Sequence, residues 1–383
     1  MTPVFAAVCA AMTLFAYTAQ AEIKVGAVLS LTGSAASLGI PERNAVELMP
    51  RKIGDETVHY VVLDDASDPT AAVRAARRLI EDENVDIILG PSITPTSLAL
   101  LEVVGPAQTT MISLAGSAVV WSPVVGNREW VFKLAPEEPA IGAHIFDNLA
   151  RTNGKSVGFI GFADSFGDSM IAALKVVAAE RGVPVTADER YGRTDASVTA
   201  QVLKVMRTNP AAVIIAGAGT PGVTPVLELR RLNYQGQIYL SPGMANADVL
   251  RLGGAAMNDA FMPVTPVLVA EQLPDVNPVK PVALQFVQAY EAKHGVGSRS
   301  LFGASAWDAF LMLQQAVPTA LKAGQPGTAA FRIGLRDAIR TSRELVGTQG
   351  VFTMSPTDHN GTDLRALVLV QVRAGKWTYI PRD

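Results

Sequence analysis

Gly217-Ala218-Gly219-Thr220-Pro221-Gly222 has the glycine spacing of a dinucleotide loop. In such a loop the glycines let the backbone approach a pyrophosphate at a helix N-terminus. The loop follows the strand-forming run Ala212 to Ala216, as that site requires. Two features oppose the reading. The next strand should end in an acid for the ribose, and here it ends Leu240-Ser241. The fingerprint also opens a βα series, whereas this loop lies deep inside one. The better reading is a glycine-bearing loop at the C-terminal end of a strand. The four histidines, His59, His144, His294 and His359, share no metal-ligand spacing and read as surface or strand-end residues. Asp358-His359-Asn360-Gly361-Thr362-Asp363 has its glycine at the fourth place, where a calcium loop needs it at the sixth, so it reads as a turn. Asp64-Asp65 is a carboxylate pair with no nucleophile or metal ligand nearby. Neither a G-x-S-x-G elbow nor H-E-x-x-H is present. The chain therefore offers no catalytic constellation, no metal site and no cofactor motif.

A different chemistry is suggested by small hydroxyl residues at strand ends. One run ends in Ser30-Leu31-Thr32-Gly33-Ser34 and continues to Leu38-Gly39. Another ends in Gly90-Pro91-Ser92-Ile93-Thr94-Pro95-Thr96-Ser97, where Thr94 reads as an N-cap with Pro95 at the first helical position. A third ends in Ser113-Leu114-Ala115-Gly116-Ser117. Ligands of open α/β sheets sit beyond the carboxyl ends of the strands. Helix N-terminal amides with hydroxyls beside them can receive an anion such as a carboxylate. Each hydroxyl taken singly is more often a helix cap, and only their convergence on one rim would make a receptor.

The elements that would carry these ends alternate between strand and helix. Ile23 to Leu29, Thr57 to Leu63, Val85 to Leu89 and Thr110 to Leu114 read as strands. Asp68 caps a helix through Ile80 that has Pro69 in its first turn. Such alternation means βαβ units and a mostly parallel sheet. A second set follows. Ser156 to Ile160 matches the first strand, Ala212 to Gly217 matches Asp86 to Gly90, and Ile238 to Ser241 matches Met111 to Ser113, all at nearly one offset. Two similar α/β lobes are expected. Later come helices over Val282 to His294, Ala304 to Val317 and Ala329 to Thr341, then strands near Val351-Phe352 and Leu367 to Val372.

Composition narrows the class. The chain has 383 residues, 49% hydrophobic and 17% charged, with a net charge of −3, which excludes disorder and makes nucleic acid an unsuitable partner. Cys9 is the single cysteine, so there is no disulfide framework and no thiolate metal site. Pro3 to Tyr17 is almost wholly apolar and leads to Ala19-Gln20-Ala21 ahead of Glu22. That pattern reads as a secretory signal peptide, residues 1–21, cleaved after Ala21, and places the mature chain in a periplasm.

The chain resembles the periplasmic solute-binding proteins of ABC transporters, in the branch of the leucine/isoleucine/valine receptors. The resemblance rests on Ile23 to Gly39, Asp64-Asp65-Ala66-Ser67-Asp68-Pro69, Leu89-Gly90-Pro91, Met111-Ile112-Ser113, Asp164-Ser165-Phe166-Gly167 and Trp307-Asp308-Ala309. It implies the type I periplasmic binding protein fold: α/β, two doubly wound Rossmann-like lobes joined by three hinge crossovers. The N-terminal lobe would hold 22–137 and 266–347, and the C-terminal lobe 138–265 and 348–383. The crossovers would fall near Pro136 to Pro139, Pro263 to Pro266 and Gly347 to Gly350. By the same resemblance the ligand contacts fall on Leu38, Thr94, Pro95, Ala115, Gly116, Ser117, Phe166, Thr220 and Gly243. Amino-acid receptors of the family place an acid at or beside Gly243 for the ammonium, and an aromatic at Thr220. Both are absent, and Gly219 and Gly243 leave volume there. The expectation is a monomeric receptor that serves an inner-membrane ABC permease and closes on a small carboxylic acid, aromatic or 2-oxo. The alternatives are a branched-chain or other amino acid receptor of the same fold, and a ligand sensor for a signalling partner.

Overall fold

A computed structural model describes residues 22–381. The first sheet opens with β1 (Ile23–Leu29), followed by helix α1 (Ala36–Val46), the hairpin strands β2 (Lys52–Ile53) and β3 (Glu56–Asp64), and helix α2 (Pro69–Glu81). Strand β4 (Ile87–Leu89), helix α3 (Thr94–Val104), β5 (Thr110–Ser113) and β6 (Val131–Lys133) complete it, in the order β2-β3-β1-β4-β5-β6. The chain then passes to helix α4 (Glu138–Arg151) and a second sheet. That sheet is built from β7 (Val157–Phe162), α5 (Ser165–Glu180), β8 (Val185–Tyr191), α6 (Thr199–Arg207), β9 (Ala212–Ala216), α7 (Val223–Arg231), β10 (Gln237–Leu240), α8 (Ala247–Gly253) and β11 (Phe261–Val264). Helices α9 (Val279–His294), α10 (Leu301–Ala320) and α11 (Ala329–Arg340) and the small hairpin β12 (Leu345–Val346) and β13 (Val351–Phe352) come next. Strands β14 (Val368–Arg373) and β15 (Lys376–Ile380) then join the second sheet, whose order is β15-β14-β11-β10-β9-β7-β8.

The repeat read from the sequence is visible in these orders. The run β3-β1-β4-β5-β6 and the run β8-β7-β9-β10-β11 follow one topology, and every pairing within them is parallel. Parallel strands covered on both faces need apolar residues on both, which explains near-continuous runs such as Ala212 to Ala216. In the first lobe successive residues alternate between two cores. Ile87 and Leu89 pack with α9, α10 and α11, while Ile88 packs with α2 and α3. The cap on α2 forms as read: Asp68 accepts from the Ala71 amide at 2.7 Å, with Pro69 at the helix start.

The third crossover differs from expectation. Val351, Phe352 and Met354 are buried in the first lobe's core, not the second's. His359 and Asn360 also stay there: the Lys133 amide donates to the His359 carbonyl at 3.0 Å, and Asn360 Nδ2 donates to the Lys133 carbonyl at 3.0 Å. The chain crosses between Gly361 and Val368: β13 packs in the first lobe's core, and the Asp358 turn is hydrogen-bonded to β6 at Lys133. His359 is correspondingly not a surface residue. It is fully buried, stacks on Phe132 at 4.2 Å, and burial holds its imidazole below the usual pKa. His144 is buried too, on α4, with Nδ1 2.8 Å from the Ala140 carbonyl. The turn reading of Asp358 to Gly361 stands: Asp358 Oδ1 accepts from the amides of Asn360 and Gly361, both at 2.9 Å. Among the described residues no cluster of His, Cys, Asp and Glu could hold a metal, and no helix is long and apolar enough to cross a membrane.

Candidate functional site

The C-terminal strand ends of both sheets face one another across a cavity of about 560 Å³, its open mouth included. The first lobe supplies Leu38 of α1, Ser92, Ile93 and Thr94 after β4, and Leu114 and Gly116 after β5. Ala135 and Pro136 come from the first crossover. The second lobe supplies Ile141 of α4, Phe166 and Met170 of α5, Arg193 after β8, Ala218 after β9, and Pro242 and Gly243 after β10. Leu301 and Phe302, the first turn of α10, complete the wall and pack with the second lobe's core. Five residues named from the sequence therefore line this cavity: Leu38, Thr94, Gly116, Phe166 and Gly243. Pro95, Ala115, Ser117 and Thr220 lie off the lining.

The hydroxyls behave differently from helix caps. Helix α3 begins at Thr94, so its N-cap is Ile93, and Thr94 caps nothing. Its hydroxyl donates instead to Ser117 Oγ at 3.2 Å. Ser117 stands at the N-cap of a short 3-10 turn and makes no side-chain cap bond either. Both residues are buried. Two hydroxyls from separate loops thus meet at the cavity wall, Thr94 on the lining and Ser117 behind it, and helix capping explains neither. Ser92 beside them accepts from the Ser30 amide at 3.0 Å and donates to Glu42 Oε2. Complete burial drives the Glu42 carboxyl well above its ordinary pKa, the Ser92 hydrogen bond opposes that, and the Asp65 charge adds to it. A carboxyl held toward its neutral form there spares an incoming anion a repulsive neighbour.

The far wall is aromatic and apolar. Asp164 caps α5, accepting from the amides of Phe166 at 3.0 Å and Gly167 at 3.2 Å, and so fixes Phe166 at the cavity. Phe166 lies close to Gly116 of the opposite lobe, where a Cβ would come within 3.2 Å of its ring. Gly219 does not open volume as expected. Its φ is +60°, and the space a side chain would take is filled by Ser37 and Leu38 of the first lobe. Thr220 turns to the same place: its amide donates to Ser37 Oγ at 3.2 Å, joining the lobes instead of lining the cavity. At Gly243 a Cβ would meet Ala218 and the Gly217 carbonyl at 2.9 Å, so the loop is packed against a side chain there.

Among the described residues no acid lines the cavity. Asp164 is engaged by Arg193 at 2.7 Å, and Asp248 is half-exposed and paired with Arg251 at 2.8 Å. Arg193 is the residue sequence reading missed. Its Nε donates to Asp164, its guanidinium lies 4.1 Å from the Phe162 ring centre, and Nη1 is buried without a partner among the described residues. Nothing in Tyr191-Gly192-Arg193-Thr194 announces it, since an arginine after a strand is ordinary on the surface.

The family of periplasmic binding proteins matches residues 22–376, nearly the whole described chain. The chain belongs to that family. Its members are ligand-binding receptors, not catalysts, and the two-lobed type I architecture is theirs. An extracellular ligand-binding receptor from Rhodopseudomonas palustris HaA2 is 39% identical, covering 94% of this chain and all of that one, with a TM-score of 0.91. A Leu/Ile/Val-binding protein homolog from Brucella melitensis is 22% identical over 63% of this chain and 66% of its own length. A solute-binding protein of an R. palustris ABC transporter, solved with benzoate, shares the fold at a TM-score of 0.80 and 19% identity, covering 94% of this chain and 95% of that one.

Proposed function

We propose that this periplasmic binding protein is the monomeric solute receptor of an ABC importer, closing its lobes on an aromatic or 2-oxo carboxylic acid. The observation that carries the ligand class is the absence of any acid among the described residues that line the cavity. A desolvated ammonium without a carboxylate partner costs several kcal/mol. A carboxylate, by contrast, finds the Thr94 hydroxyl, backed by Ser117, and the amides of their loops. Phe166, Leu38, Ile141, Met170, Leu301 and Phe302 suit a flat apolar body. A protein of the same fold holds benzoate, so the architecture accommodates an aromatic acid. The rigid bodies of closure are residues 22–137 with 266–361, and 138–265 with 368–381, turning about the three crossovers. The roles of Pro95 and Ala115 are to shape the two anion-facing loops.

Calorimetry with phenylpyruvate and phenylalanine, a pair differing at one carbon, tests this reading. Phenylpyruvate should bind at least ~100-fold more tightly, the equivalent of about 3 kcal/mol. A preference for phenylalanine, or for leucine over both, would make this an amino-acid receptor.

A further inference from the structure

Among the described residues that line the cavity, Arg193 is the one charged side chain. It is held in place from two sides. Phe162 lies beneath its guanidinium, and Asp164, itself fixed by the first amides of α5, accepts from its Nε. The ion pair is only 12% and 18% exposed. Nη1 remains buried and without a hydrogen-bond partner among the described residues. A buried donor of this kind needs an acceptor, and the structure supplies none from the protein.

The nature of the missing acceptor follows from the pairing. Asp164 neutralises the guanidinium at 2.7 Å, so the pair presents a directional N–H and not an uncompensated positive charge. A ligand carboxylate placed there would meet the Asp164 carboxylate next door, and would leave the hydroxyls of Thr94 and Ser117 unused. A neutral oxygen carries neither penalty. We propose that Arg193 is a specificity-determining residue, donating Nη1–H to a ring oxygen of the ligand, a phenolic hydroxyl or aryl ether, while the carboxylate faces Thr94. The preferred ligands are then ring-oxygenated aromatic acids. This inference rests on the proposed aromatic-acid reading of the site.

The test is calorimetry on the whole mature protein with 3-phenylpropanoate and its 2-, 3- and 4-hydroxyphenyl analogues. At least one hydroxylated acid should bind the wild type ~10-fold or more tightly than the parent acid, as a charge-assisted hydrogen bond gives. Arg193→Met should abolish that advantage, bringing each hydroxylated acid within about threefold of the parent acid measured on the same variant. Arg193→Lys keeps a cation over Phe162 without the Nη1 fork, and should lose the advantage likewise if Arg193→Met does not fold. Equal wild-type affinity for all four acids overturns the inference. So does an equal loss for parent and hydroxylated acids in the variants, which would put the carboxylate on Arg193. Failure of all four acids to bind the wild type refutes the aromatic-acid reading itself, and this inference with it.

Discussion

Replacing Gly219 with alanine should weaken ligand binding by obstructing closure. Gly219 sits at φ +60°, ψ −155°, a region essentially reserved for glycine. A Cβ there would stand 2.3 Å from Ser37 Oγ and 2.5 Å from Leu38 Cδ1, both on the opposite lobe. The Leu38 methyl can rotate away, but Ser37 Oγ accepts from the Thr220 amide at 3.2 Å, so moving it breaks a contact between the lobes. Two costs are therefore separable. The backbone strain, about 1–3 kcal/mol, is paid in open and closed forms alike and lowers the melting temperature without touching affinity. The overlap exists only when the lobes meet. Overpacking of this kind costs about 1–3 kcal/mol, which raises Kd by ~5- to 150-fold. Gly254→Ala isolates the first cost, because Gly254 has φ +51° and nothing within 4 Å of its added Cβ. Calorimetry gives the affinities, and small-angle scattering at saturating ligand gives the compaction. Gly219→Ala should bind more weakly than Gly254→Ala and compact less. If both variants bind like the wild type, or lose affinity equally, the contact of Gly219 with Ser37 and Leu38 is not part of ligand capture.

Asp308 supplies a pH prediction. It is completely buried in α10 and accepts from the amides of Thr348 at 2.6 Å and Gln349 at 3.0 Å, yet burial outweighs those bonds and raises its pKa to about 7. Between the ordinary aspartate pKa and about 7 the folded state keeps a proton that the unfolded state has lost, so this group's contribution to stability falls as pH rises through that window. Asp308→Asn cannot titrate, and its melting temperature should decline less between pH 4 and ~7 than that of the wild type; parallel curves would refute the assignment. Export predicts a second outcome. Protein recovered from the periplasm should begin at Glu22 on N-terminal sequencing, and retention of full-length chain in the cytoplasm would refute cleavage after Ala21. Those first residues lie outside the described part of the structure.

What the sequence determined by itself was local or periodic. Apolar runs such as Ile23 to Leu29 and Ala212 to Ala216 name strands buried on both faces, because a parallel strand under two helical layers has no polar side to show. Asp68-Pro69 names a helix start, because cap and φ restriction act within one turn. The repeat of the strand set foretold two sheets of one topology. The missing acid at Gly243 was legible as well, since an absent charge needs no geometry to be noticed. The tertiary structure decided what depends on distant partners. Thr94 looked like a cap, but the helix starts one residue earlier than that role needs, and its hydroxyl meets Ser117 from another loop. Val351 and Phe352 looked like part of the far lobe, yet they are buried in the first lobe's core, and the turn that follows is hydrogen-bonded to β6. Gly219 looked like free space until the opposite lobe filled it. Arg193 carries no local signal at all. Its unused donor exists because Asp164, 29 residues away, takes one nitrogen and burial removes water from another, and chain neighbours encode neither the pairing nor the burial.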